Sequence, residues 1–169
     1  AEICRNKGLE VIENIAEKVI GYDNLADLVI CFEVLEHVYE PLPFIETLSA
    51  FVKPGGYLMV STLGVDGFEI QTLWDKSESV SPPHHINFPS VKGFYRLFER
   101  AGLRNIDVIT PGVLDIDIVR NGYNKDPSVL SKNRFIKKII ENDSLSASFQ
   151  KYLQDKNLST HTWVMAQKV

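Results

Sequence analysis

Asp27-Leu-Val-Ile-Cys-Phe-Glu-Val-Leu-Glu-His37 decides how the rest of the chain is read. Leu28 to Phe32 is a short apolar run with β-branched residues at its centre, the pattern of a strand buried on both faces. It turns polar at once, with Glu33, Glu36 and His37. In an open α/β sheet, ligands bind outside the carboxyl ends of the strands. Three titratable groups therefore arrive where such a fold does its chemistry. Lys53-Pro-Gly-Gly-Tyr-Leu-Met-Val-Ser-Thr62 reads as a helix stop, a tight turn and a second buried strand. Between the two, Pro41 suits the first turn of a helix. Phe44, Ile45, Leu48, Phe51 and Val52 then recur on one helical face. Two apolar strands joined by a helix predict a right-handed parallel crossover.

Before this core, Ala1–Lys7 has helical character and stops at Gly8, Leu9–Glu13 reads as a short strand, and Gly21–Asn24 as a turn. After it, Gly64–Pro89 has no clear periodicity and is punctuated by glycine and proline. A stretch of that length in a compact domain is usually functional. It is read as a substrate lid, with fast amide exchange expected at Asp66–Phe68 and Ser77–Ser81 and a short helix at Phe68–Trp74. Ser90 should cap a helix carrying Phe94, Leu97, Phe98 and Ala101, with Gly102 as its stop. Arg104–Thr110 reads as a strand. Val113–Val119 is apolar with Asp115 and Asp117 interleaved, two residues that share a face if the segment is extended. Asn121–Pro127 reads as loop. Two amphipathic helices follow, one with Phe135, Ile136, Ile139 and Ile140, the other capped by Ser144 with Leu145, Phe149, Tyr152 and Leu153. Thr160–Lys168 is the last strand. The whole reads as one α/β domain over residues 1–169, with a helical insertion at about 126–157.

The chain has 169 residues and a net charge of −4. It has no long basic run, so electrostatics give no reason to expect nucleic acid. Its apolar runs are too short to span a bilayer, and its first residues do not form a signal peptide. Cys4 and Cys31 are the only cysteines and lack metal-ligand spacing. A reducing, cytoplasmic setting is expected, with no membrane partner. The spacing of His37, His84 and His85 calls for no metal.

The polar groups near the strand ends suggest proton chemistry. Histidine has the side-chain pKa nearest neutrality, so His37 suits proton removal from a hydroxyl or amine. His84-His85-Ile-Asn87 follows two prolines in the long loop, where paired histidines are less easily explained by packing. Glu36 stands beside His37.

Asp27–His37 and Lys53–Thr62 resemble the central strands of class I S-adenosylmethionine (SAM) dependent methyltransferases. The likeness is to the group that includes the ubiquinone-biosynthesis O-methyltransferases and many enzymes of sugar and cell-surface metabolism. Pro82–Ser90 with the following helix, Thr110–Asn121, and Trp163–Lys168 resemble later segments of that group. The resemblance implies a three-layer, Rossmann-like methyltransferase fold with a mostly parallel sheet. It implies SAM as cofactor, with Phe32 and Glu33 flanking its methionine part. It implies His85 and His37 as catalytic groups, and Glu36, His84, Asn87 and Asp115 as contacts to a small-molecule or saccharide acceptor.

The family also holds SAM on a Gly-rich turn after its first strand. Gly55-Gly56 is no such turn, because it follows a helix and precedes a strand. The chain thus resembles the C-terminal part of a methyltransferase without its first two strands, with SAM belonging to the intact parent and the fragment inactive alone. A missing neighbour would leave Leu28–Phe32 as an apolar edge, which invites pairing. Either Leu9–Glu13 moves in beside it, or a homodimer forms through it; the homodimer is favoured. Two alternatives stand beside the enzyme. A Rossmann-type nucleotide-linked oxidoreductase would share the crossover but needs a Gly-rich fingerprint. A non-catalytic, degraded methyltransferase module would keep the fold without the chemistry.

Overall fold

The computed structural model describes residues 1–169. A short helix α1 (Glu2–Asn6) precedes strand β1 (Ala26–Phe32), helix α2 (Pro41–Phe51) and strand β2 (Val52–Leu63). Helices α3 (Phe68–Leu73) and α4 (Val91–Arg100) lead to β3 (Leu103–Ile109). Helices α5 (Asp115–Lys125), α6 (Arg134–Ile140) and α7 (Asp143–Asp155) then lead to β4 (His161–Lys168).

The sheet order is β1-β2-β4-β3. β1 and β2 are parallel, joined through α2 as the sequence predicts. β4 lies between β2 and β3 and runs antiparallel to both. The sheet is therefore mixed, where a mostly parallel one was expected. The reason is the connection from β3 to β4. It leaves and re-enters at the same end of the sheet, because His161 at the start of β4 faces Leu63 at the end of β2. A return of that kind forces the strand direction to reverse.

Alternation along the strands sends Cys31, Leu58, Val60, Val164 and Ala166 to one face, where they pack with Phe44, Ile45, Leu48, Phe94 and Phe98 of α2 and α4. Period-2 strands and period-3.6 helices meet in one apolar layer. Phe94 and Phe98 are fully buried, each contributing about 1.5–3 kcal/mol of burial. The opposite face carries Leu28, Ile30, Phe32, Tyr57 and Met165, all substantially exposed. β1 is thus buried on one face rather than on both, since helices of this chain pack on a single side of it. β1 is also an edge strand. Leu9–Glu13 is neither a strand nor its neighbour: the segment has no strand to pair with and stays mostly exposed.

A second apolar cluster joins Leu73 of α3 to Ile116, Val119, Leu130, Ile136, Ile139, Ile140 and Leu153. Ile116 and Val119 are three apart, a helical spacing that draws Asp115–Lys125 into α5. The condition for Asp115 and Asp117 to share a face, an extended segment, is therefore not met, and the loop reading of Asn121–Pro127 is overturned up to Lys125. Acidic residues in the first turn, Asp115 and Asp117, suit the positive end of the helix. The helical run therefore begins earlier than residue 126. The cap of α7 is Asn142, whose Oδ1 accepts from the Leu145 amide at 3.0 Å, not Ser144. The Ser90 cap of α4 is as expected, with its hydroxyl accepting from Gly93 N at 3.0 Å, and Gly102 ends the helix at φ +81°.

Hydrogen bonds tie both ends of Gly64–Pro89 to the rest of the chain. Gly64 N donates to Thr160 O at 2.8 Å, Val65 N to Pro89 O at 3.2 Å, and Phe68 N to Leu158 O at 2.7 Å. The carboxylate of Asp66 accepts from Val91 N at 2.8 Å.

Candidate functional site

At the carboxyl end of β1 the backbone turns through Glu33, which has φ 52°. Left-handed geometry in a non-glycine residue persists where surrounding contacts fix it. Here Glu33 N donates to Ser61 O at 3.0 Å. Glu33 Oε1 accepts from Ser61 Oγ at 2.5 Å and pairs with His161 Nε2 at 2.8 Å. The ring of Phe32 lies 6.4 Å from that of Trp163, nearly parallel, and His161 meets the Trp163 ring edge-on at 6.3 Å. Phe32 and Glu33, singled out from the sequence, are thus locked to His161 and Trp163, which were not. These two sit at alternate positions on β4. The signal that could have found them is the strand pairing, Ser61 opposite Trp163.

A second group follows one turn later. Glu36 is buried and accepts from Thr62 Oγ1 at 2.7 Å. Its backbone carbonyl takes the amides of Ile86 at 2.7 Å and Asn87 at 3.2 Å, which ties the histidine loop to the end of β1. His37 Nδ1 bonds to His84 O at 2.8 Å, and His85 Nδ1 to Ser79 O at 2.7 Å. A carbonyl partner requires the proton on Nδ1, which leaves Nε2 of each neutral ring as an acceptor. The two rings are 4.7 Å apart, edge to face. The Asn87 amide donates to the carbonyls of Val38 and Leu35. The fold therefore gathers Glu36, His37, His85 and Asn87. His84 contributes its carbonyl while its side chain faces solvent. Glu36, His37 and His85 each offer a ligand atom, all within 4.8 Å of one another. That spacing could accommodate one divalent cation, which the sequence spacing did not suggest.

Between β4, the end of β2 and the start of α5 lies a cleft of about 460 Å³. Leu63, Val113, Leu114, Ile118 and Trp163 give it apolar walls, and Glu69 and Asp115 its acidic groups. Asp115 Oδ1 accepts from Thr160 N at 2.7 Å, while Oδ2 accepts from Gln150 Nε2 at 3.0 Å and from Ser159 Oγ. Asp117 points away and pairs with Arg120 at 2.9 Å. The two acids thus have different surroundings, not the shared face of an extended segment.

Glu69 is fully buried and accepts from Ser77 Oγ and from Ser79 Oγ, the latter at 3.1 Å. Burial pushes its carboxyl above the ordinary range; the serine hydrogen bonds oppose this and the nearby Asp115 adds to it. Glu69 therefore keeps its proton to higher pH in the folded chain than in the unfolded one. The associated stability is complete below the ordinary value of 4.5 and is lost as pH rises through the folded value. Glu69→Gln should abolish this loss, so that urea midpoints of variant and parent diverge as pH rises. A difference that stays constant from about pH 4 to pH 8 would contradict it.

A family model described as a methyltransferase domain matches residues 2–108. The chain belongs to the class I SAM-dependent methyltransferases. The mitochondrial ubiquinone biosynthesis O-methyltransferase of Dictyostelium discoideum is 41% identical over 64 residues, covering 37% of this chain and 20% of that protein. The tRNA U34 carboxymethyltransferase of Wolinella succinogenes is 28% identical over 91 residues, covering 54% of this chain and 33% of that protein. These curated relatives are matched over only a fifth to a third of their length. A solved SAM-dependent methyltransferase of Thermotoga maritima, described as a possible histamine N-methyltransferase, superposes with a TM-score of 0.63 at 18% identity, covering 99% of this chain and 68% of that one. At that identity the likeness is one of fold, and it bears out the methyltransferase architecture. The oxidoreductase alternative falls with the family assignment. A tRNA-modifying relative also removes the ground for excluding nucleic acid from the partners. No helix is long and apolar enough to cross a membrane.

Proposed function

We propose that this methyltransferase chain forms the acceptor side of a SAM-dependent enzyme, O- or N-directed, acting on a small molecule or saccharide. The observation that carries this is the meeting of Phe32–Glu33, the Glu36–His37–His85 group and an apolar cleft at one end of the sheet. A degraded module would have no need to hold Glu36 buried against Thr62 or two histidines edge to face.

Phe32 and Glu33 fit the methionine end of SAM. A half-exposed aromatic ring and a carboxylate with one oxygen, Oε2, free of partners suit a cationic group. Bound SAM supplies an electrophilic methyl group on sulfur. The chain's own task is to seat the acceptor in line with it and to receive the acceptor's proton. His85 and His37 offer Nε2 for that proton. Glu36 Oε1 lies 3.9 Å from His37 Nε2, which places a carboxylate beside the ring that receives the proton. His84, Asn87 and Asp115 place the loop and the cleft wall around the acceptor.

Radiolabelled methyl transfer by the complete protein tests this reading. His85→Ala should lower turnover by about 10²-fold or more, with SAM affinity little changed. Unchanged turnover at saturating acceptor would overturn it.

The exposed edge of β1 carries a second proposal, a homodimer formed by pairing Leu28–Phe32 of two copies. Sedimentation velocity should then show a concentration-dependent shift from monomer to dimer. A monomer at every concentration would sink it.

A further inference from the structure

Glu33 reaches across the sheet for one of its partners. β2 lies between β1 and β4. Neighbouring strands are about 4.8 Å apart, so β1 and β4 are separated by about 9.6 Å. His161 of β4 nevertheless places Nε2 2.8 Å from Glu33 Oε1. Ser61 Oγ donates to the same oxygen at 2.5 Å. Two donors on one oxygen fix the carboxylate from one side and leave Oε2 without a partner. The side chains of His161 and Glu33 are 37% and 47% exposed, and ion pairs exposed to that degree add little to folding. What the contact fixes is direction. A glutamate side chain loses most of its rotamer freedom once one carboxylate oxygen is held. His161 is held in turn. Its ring meets the Trp163 indole edge-on at 6.3 Å, and that indole stacks on Phe32 at 6.4 Å. His161 is thus the link through which β4 sets the direction of the Glu33 carboxylate.

We propose that His161 is a positioning residue for the donor side of the reaction: it holds Glu33 so that Oε2 meets the cationic methionine end of SAM. His161 acts through Glu33 and not on the reacting atoms. The inference rests on the reading of Phe32 and Glu33 as the methionine end and deepens it, because the aim of the carboxylate is assigned to a residue of the last strand. His161 and Trp163 also line the acceptor cleft, so the same side chain borders both sides of the reaction.

A double-mutant cycle on SAM affinity in the complete protein tests this, with Glu33→Ala, His161→Phe and the two combined. His161→Phe keeps an aromatic ring against Trp163 and removes the donor. It should weaken SAM about tenfold by calorimetry, and should add nothing once Glu33 is already alanine. His161→Gln restores a donor of similar reach and should recover most of the affinity. Urea midpoints should stay nearly unchanged throughout, because the pair is exposed. A His161→Phe loss of the same size with and without Glu33 would overturn the proposal, as would a glutamine variant no better than the phenylalanine one. Glu33→Ala weakening SAM while His161→Phe leaves it untouched would overturn this inference alone. Normal SAM binding by Glu33→Ala would overturn the reading of the methionine end, and this inference with it.

The hold on the ring is read separately, on the 169-residue chain without SAM. Trp74 and Trp163 give two indole N–H signals in NMR. Glu33→Ala should shift the Trp163 signal as the His161 ring beside it loses its partner. An unmoved signal would mean that Glu33 and His161 do not fix one another, which would overturn the inference whatever SAM does.

Discussion

Asp115→Ala is expected to destabilise the chain by about 3–4 kcal/mol, read from urea denaturation followed by far-ultraviolet circular dichroism. The carboxylate is buried and receives three donors, from Thr160 N, Ser159 Oγ and Gln150 Nε2. Together they fasten the first turn of α5 to α7 and to the entry of β4. Truncation removes the acceptor of Thr160 N and Ser159 Oγ, while Gln150 Nε2 keeps Gly112 O at 2.9 Å, and each buried, unsatisfied group costs about 1–3 kcal/mol. Partial relaxation and water entry keep the sum below two full penalties. Asp115→Asn retains one carbonyl oxygen and should cost about half as much, because the amide nitrogen meets a donor where an acceptor stood. A loss below about 1 kcal/mol for the alanine variant would mean that β4 and α5 are held by their apolar contacts and not by this carboxylate.

The same residue shows where sequence reading ends. β1, α2, β2, the Ser90 cap and the Gly102 stop were all legible, because each rests on signals within one turn or one strand. The histidine loop was legible as a candidate site because two prolines and two histidines adjoin in sequence. Asp115 was found as a residue but its backbone, helical and not extended, was left open. Alternating acids mimic a strand, and the helical period of Ile116 and Val119 wins once Leu73 and Leu153 supply a core to pack into. Leu9–Glu13 has strand composition but no partner strand, and propensity alone does not make a ladder. The Glu33–His161 pair joins residues 128 positions apart. No local pattern reports such a contact; it follows only once β4 is known to lie beside β2. Glu69 was hidden for a related reason: its burial depends on α3 packing against α5 and on Ser77 and Ser79 folding back over it, in a segment with no periodicity to read.

Gly67→Ala should destabilise the chain by about 3 kcal/mol or more and disturb the cleft wall at Thr160 and His161. Gly67 precedes α3 with φ −70° and ψ 145°, angles that alanine adopts freely. Its backbone conformation is therefore not the reason for glycine. The reason is approach: an added Cβ would fall on Thr160, against its Cα and Oγ1 and 2.5 Å from its backbone nitrogen. Thr160 cannot easily yield. Its amide is held by Asp115 at 2.7 Å, and its carbonyl takes Gly64 N at 2.8 Å. Either α3 moves, carrying Glu69 out of the cleft, or the entry of β4 moves, carrying His161 with it. Gly21→Ala is the control. There φ is +82° but nothing lies within 4 Å of the new carbon, so the cost is backbone strain of about 1–2 kcal/mol with the cleft intact. Measuring both variants by urea midpoint and by the NMR indole N–H signal of Trp163, which lines the cleft, separates the two mechanisms. If Gly67→Ala proved as mild as Gly21→Ala, or left the Trp163 signal unmoved, the close approach of Gly67 to Thr160 would not be what shapes the cleft.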